Sequence, residues 1–139
     1  MCKVGDIIVI NEFKNENDKV ISKHSFVVIS DEENYISGLK YDFVVNMLCS
    51  FHNEKHRNKK IKFRENLEIK ETSICGKNIN NKTGYIKVDQ LYYFDKNLIT
   101  YKVIACMDNG LLEELISLII KLNKEGLLKN ILTNLKTHL

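Results

Sequence analysis

FVVNMLCS, Phe43 to Ser50, alternates in a way that decides between helix and strand. Phe43, Val45, Met47 and Cys49 share one wholly apolar face, and Val44, Asn46, Leu48 and Ser50 share a mixed one, because successive side chains of a strand point to opposite sides. The period of two predicts a β-strand with one face in a core, Cys49 inside and Ser50 facing out.

Working outward, the neighbouring apolar runs are of similar size. Gly5 and Asp6 precede a buried strand at Ile7–Ile10, a polar loop carrying Lys14 and Lys19 follows from Asn11 to Ser22, and Phe26–Ile29 makes a second strand. Downstream, strands are expected at Ile61–Phe63, Asn66–Ile69, Tyr85–Asp89 (opened by Gly84) and Ile99–Ile104, with a turn-rich stretch from Cys75 to Lys82. Short strands joined by turns predict an α+β, mainly β protein built on a small barrel or sandwich.

The C-terminal part changes character. Leu111, Leu115, Ile119 and Leu122 recur at helical spacing behind the start signal Asp108-Asn109-Gly110, and Leu127, Leu128, Ile131, Leu132 and Leu135 repeat the pattern after Gly126. C-terminal helices are expected, with residues 123–139 as a helical extension that packs on the barrel or offers a dimerisation or partner surface.

At 139 residues, 44% hydrophobic and 28% charged, the chain has the size and composition of one globular domain, residues 1–139. The net charge of +3 is mild, and 19 Lys against 2 Arg, with 16 Asn and no Pro, is the bias an AT-rich genome writes unselected. Arginine is therefore the more informative cation. Arg57 and Arg64 both fall in HNEKHRNKKIKFR, His52 to Arg64, which holds six Lys/Arg against the single Glu54; a guanidinium offers the bidentate donors that Lys lacks. A solvated charged loop is the plainer account of the same segment. Cys2, Cys49, Cys75 and Cys106 have no metal-ligand spacing, and a reduced cytoplasmic setting is expected. No signal peptide or membrane span is expected either.

P-loop, G-x-S-x-G, H-E-x-x-H and Rossmann patterns are absent. Polar groups instead gather at strand ends: Lys23 and His24 opening KHSFVVIS, Ser50 and His52 closing the Phe43 strand, and Lys87 with Asp89 on GYIKVDQL. Strands paired into one barrel would bring these ends to a common cleft. That set suits RNA cleavage without a metal or other cofactor, in which the RNA's own 2′-hydroxyl attacks phosphorus. Such an enzyme needs only a base, an acid and cations for the phosphorane charge, and a histidine near pKa ~6.5 serves either proton transfer. Each residue also has an ordinary account: a surface histidine, a turn-capping serine, a backbone-bonding aspartate, a solvated lysine.

The order of features resembles the MazF/PemK/Kid family of toxin endoribonucleases. VGDIIVI, KHSFVVIS, KTGYIKVDQLYYFDKNL and LLEELISLIIKL carry the similarity, over residues 3 to about 122. The resemblance implies an SH3-like barrel, a homodimer whose interface forms a groove for single-stranded RNA, and a cognate antitoxin protein that occupies the groove. By position, His24 stands where the family commonly has a catalytic Arg, Cys49-Ser50 where it has Thr or Thr-Ser, Asp89 where some members have an acidic base, and Lys87 where an Arg lies nearby. Catalytic roles are thus expected for His24, Ser50, Lys87 and Asp89. Lys14, Lys19, Lys23 and Gln90, with His52, His56, Arg57, Lys59 and Lys60 of the basic segment, are expected to bind RNA. The departures are His24-Ser25 for Arg-Pro, Cys49 for Thr, and the tail Asn123–Leu139. The alternatives are a non-catalytic SH3-like RNA-binding module and a protein-interaction module working through its leucine-rich tail.

Overall fold

A computed structural model describes residues 2–31, 41–70, 74–75 and 83–135. The described chain is mainly β. Its strands are β1 (Asp6–Lys14), β2 (Val20–Ser30), β3 (Phe43–Ser50), β4 (Asn66–Ile69), β5 (Ile74–Cys75), β6 (Gly84–Lys87), β7 (Gln90–Phe94), β8 (Tyr101–Met107) and β9 (Lys129–Asn134). Helix α1 (Glu54–Lys60) follows β3, and α2 (Asn109–Lys124) follows β8. The sheet runs β4-β6-β3-β2-β1-β8-β5, with β7 also on β3 and β9 on β7. Among the described residues every pairing is antiparallel except β7 with β9.

Both faces of this sheet are buried, which the strands' alternation explains. Phe26 and Val28 of β2, Phe43 and Val45 of β3, and Tyr92 and Phe94 of β7 point into an aromatic-rich inner core with Ile8, Ile10, Phe13 and Ile131. The intervening Val27 joins an outer core under α2, where Leu111, Leu115 and Leu122 meet Ile7, Ile86 and Val88. The expected stripe of α2 is thus the face that packs, and Asp108 caps the helix by accepting from the Gly110 N–H at 3.0 Å. Gly126, at φ +70°, takes the left-handed conformation just beyond the helix end.

The C-terminal extension is a strand where a helix was expected. Lys129–Asn134 pairs in parallel with β7, sending Ile131 into the inner core while Leu132 stays exposed. Its end meets the far end of β1 through side chains: Asn134 Nδ2 donates to Lys14 O at 2.7 Å, and Lys14 N–H donates to Asn134 Oδ1 at 2.8 Å. The leucine spacing fits a helix, yet the open edge of β7 and the unfilled inner core take the segment as a strand, so tertiary context overrides local pattern.

Three further expectations are corrected. Asn11–Ser22 is not a loop, because β1 and β2 extend to Lys14 and from Val20 as a long hairpin. Ile61–Phe63 is not a strand, since Asn53 accepts from the His56 N–H at 2.8 Å, starting α1, and Ile61 ends that helix. The basic segment is therefore partly helical. Tyr85–Asp89 is broken after Lys87. The expected turn-rich stretch from Cys75 to Lys82 lies, beyond Cys75, outside the described residues. Cys106, whose register partner on β5 is Cys75, is disulfide-bonded, whereas Cys2 and Cys49 are free. Disulfides are uncommon in reducing compartments, so the expectation of fully reduced cysteines is not met. Among the described residues no helix is long and apolar enough to cross a membrane.

The break in the Tyr85 strand is a built corner. Leu48 faces Ile86 and Val45 faces Tyr92, so Asn46 and Met47 lie opposite the five residues Lys87 to Leu91. The surplus residues bulge out of register and leave carbonyls without ladder partners. Asn46, fully buried, supplies the missing donors: its Nδ2 group bonds Gln90 O at 2.9 Å, Lys87 O at 3.2 Å and Val88 O at 3.4 Å. Leucine keeps asparagine's branching at Cγ but is bulkier and has no donor, and each buried carbonyl left bare costs about 1–3 kcal/mol. Asn46→Leu is therefore expected to lower the unfolding free energy by roughly 3 kcal/mol in urea titrations. An unchanged midpoint would show that the corner holds without the amide.

Candidate functional site

His24 lies on the same side of β2 as Phe26 and Val28, where the inner core reaches an open end. Its ring meets Phe26 and Phe13 edge-on, with centroids 5.8 and 6.4 Å away. Nε2 lies 2.8 Å from Leu48 O. A carbonyl only accepts, so Nε2 carries the proton of the neutral ring and Nδ1 keeps its lone pair. Burial pushes the imidazole below its ordinary pKa and the nearby Lys87 charge pushes the same way, against the Leu48 bond. Burial thus favours the neutral form of His24.

The register that pairs Phe26 with Met47 and Val27 with Asn46, carried two and three strand positions further, brings His24 alongside Cys49 and Lys23 alongside Ser50. There a cleft of about 420 Å³ opens, lined by Lys23, His24, Ser25, Leu48, Cys49, Ser50, His52, His56 and Tyr85. Gly84 permits its far wall: a Cβ there would lie 2.1 Å from Cys49 O, so only glycine lets β6 approach β3 this closely. Tyr85 follows at once, buried, with its hydroxyl hydrogen-bonded to the Cys49 thiol. Burial raises both groups, Tyr85 to about 12. Cys49 is a half-buried wall of the cleft rather than the core residue its alternation suggested, because the inner core ends one residue pair earlier.

Aromatic rings continue from Tyr85 toward solvent. Phe51 stacks on it at 5.4 Å and 27°, and the His56 ring stands edge-on to both at 6.2 Å. His52 lies over His56 at 4.6 Å, and its backbone N–H donates to His56 Nδ1 at 3.1 Å. His56 is held below its ordinary pKa by desolvation, by His52 and by the charges of Lys60 and Lys59.

Of the expected site residues, Lys23, His24, Ser50, His52 and His56 line this cleft. Lys87 lies outside the lining but its charge acts on both His24 and Cys49, and Lys60 acts on Cys49. Asp89 is elsewhere. It sits in the bulge beyond β6, its carbonyl accepting from Lys129 N–H at 2.7 Å, and burial with the neighbouring Glu65 raises its carboxyl. Gln90 offers its carbonyl to Asn46. Arg57 is engaged by Glu68 at 2.6 and 2.9 Å and by Glu54 at 3.2 Å, and Arg64 by Glu125 at 2.6 Å. Lys14 pairs with Asp18 at 3.6 Å on the β1–β2 hairpin, which also carries the exposed Lys19, while Lys59 is exposed on α1. Leu48 and Tyr85 are the lining residues sequence reasoning missed, the Gly84 before Tyr85 being the one available signal, whereas Ser25 and Cys49 had been marked only as departures from the family's pattern. Among the described residues no three His, Cys, Asp or Glu side chains group so as to hold a metal.

No family model, curated protein or solved structure matches the chain.

The state of His24 has a consequence for stability. An imidazole whose folded pKa lies below its free value binds fewer protons folded than unfolded, so stability rises with pH across that window. Its contribution is complete above ~6.5 and is lost as pH falls below that value. His24→Gln keeps an N–H donor for Leu48 O and removes the titration. The fall in urea midpoint between about pH 7.5 and 5.5 is expected to be smaller in the variant, with His56 leaving a residual slope. An equal fall would place the proton uptake elsewhere.

Proposed function

We propose that the chain is a MazF-like endoribonuclease that cleaves single-stranded RNA by attack of the RNA's own 2′-hydroxyl, leaving a cyclic phosphate end. The observation that carries this reading is His24, its Nε2 held on Leu48 O and its charged form disfavoured by burial, in a cleft shared with Lys23 and Ser50. In this scheme Nδ1 takes the 2′-hydroxyl proton. Lys23 and Lys87 stabilise the added negative charge on the phosphoryl oxygens, and the Ser50 hydroxyl donates a hydrogen bond to one of them. The departing 5′ oxygen takes its proton from water, and the His24 imidazolium formed in the first step returns its proton to solvent.

The base is thus His24 in place of Asp89, the residue the family resemblance implied. The reading extends to an SH3-like barrel around the inner core, a homodimer, an antitoxin partner and a cytoplasmic setting, against which last the Cys106 disulfide counts. Both arginines are bonded to carboxylates, which leaves phosphate binding to lysines.

Cleavage of a long RNA in EDTA is expected to yield cyclic or 3′-phosphate ends, and His24→Ala to slow it by about 100-fold, as for a lost acid or base. The rate should also fall on the acid side of the ordinary imidazole range, where Nδ1 becomes protonated. A folded His24→Ala variant of undiminished rate, or products with 5′-phosphates, would remove the mechanism.

A further inference from the structure

We propose that His52 and His56, backed by Tyr85, form a stacking subsite for one unpaired nucleobase, so that the cleft takes hold of a base as well as a phosphodiester. This rests on the RNA reading above and goes beyond it by naming what the second wall recognises.

The two walls differ in chemistry. One carries Lys23, His24 and Ser25, a cation, a base and a hydroxyl suited to a phosphate and ribose. The other carries the flat rings of His52, His56 and Tyr85. The cleft, about 420 Å³, is of the size that small ligands occupy. Ring packing within the protein accounts for Tyr85, which is buried, and for Phe51 and His56, which are half-buried. It leaves His52 unexplained: an exposed ring held at 4.6 Å over its neighbour, with a face open where the cleft meets solvent.

The platform is also fixed in advance. Asn53 Oδ1 accepts from the His56 N–H at 2.8 Å, and the His52 N–H is bound to His56 Nδ1 at 3.1 Å, so backbone and ring are tied together before any ligand arrives. Only the exposed His52 ring is then left to order on binding. Because His56 Nδ1 accepts from the His52 N–H, that ring is held in its uncharged form, and the surface it presents is aromatic rather than ionic. Unpaired bases of single strands stack on such rings whatever their sequence, whereas the bases of a duplex are already stacked on each other. The class of ligand is therefore a single-stranded nucleic acid.

The test uses single-stranded DNA, which lacks the attacking hydroxyl, and the same backbone made wholly of abasic residues. Anisotropy titrations at low salt are expected to show the base-bearing strand bound about tenfold more tightly, the size of one stacking contact. His52→Ala should erase that preference while the abasic strand binds as before, and His52→Phe should keep it. Equal affinity of the wild type for the two strands, or a preference that survives His52→Ala, would overturn the stacking subsite and leave the RNA reading standing. Binding of neither strand would overturn the stacking subsite, while the RNA reading stands or falls by the cleavage of RNA described above.

Discussion

The amide of Asn46 is the constraint on which the arrangement depends. β3 must serve two partners along one edge: β7 at its beginning, whose Tyr92 and Phe94 fill the inner core, and β6 at its end, whose Tyr85 walls the cleft. Those partners are consecutive in the chain yet out of register with each other. A continuous ladder would satisfy one register and misplace the other, turning side chains to the wrong face. The buried amide takes up the carbonyls that the change of register strands, and the same side chain that lets the core close lets the cleft form.

The core and the site are accordingly continuous. β2 passes Val28 and Phe26 into the aromatic interior and then presents His24 at its rim, half in contact with Phe13 and Phe26 and half in the cleft. Desolvation by those rings is what favours the neutral imidazole, and the carbonyl of Leu48 on the adjoining strand decides which nitrogen holds the proton. Packing thereby sets the chemistry: a more exposed His24 would titrate nearer its free value, and a β3 without Leu48 O in reach would leave the tautomer undecided. The same logic withdraws Asp89, because the bulge that Asn46 stabilises carries it out of the strand and toward Glu65.

Charge was the least transferable part of the sequence. The basic segment His52–Arg64 has the composition of a phosphate-binding loop, yet Asn53 turns part of it into a short helix and its two arginines are occupied by Glu68, Glu54 and Glu125. What α1 contributes at the cleft is the ring of His56 rather than a guanidinium. Nothing in the segment itself announces this, since the carboxylates that claim the arginines lie as far away as residue 125.

By itself the sequence determined the mainly β class, the strand positions built on β-branched and aromatic runs, and the packing face of α2, because these follow from periodicities of two and 3.6 that each segment carries alone. It also marked Lys23, His24, Ser50 and His52, which end their apolar runs. The fate of residues 129–134, the corner at Asn46, the exposure of Cys49 and the departure of Asp89 were decided only in three dimensions. Each depends on which edge or carbonyl another segment leaves unsatisfied, and a local pattern holds no record of what lies across the sheet.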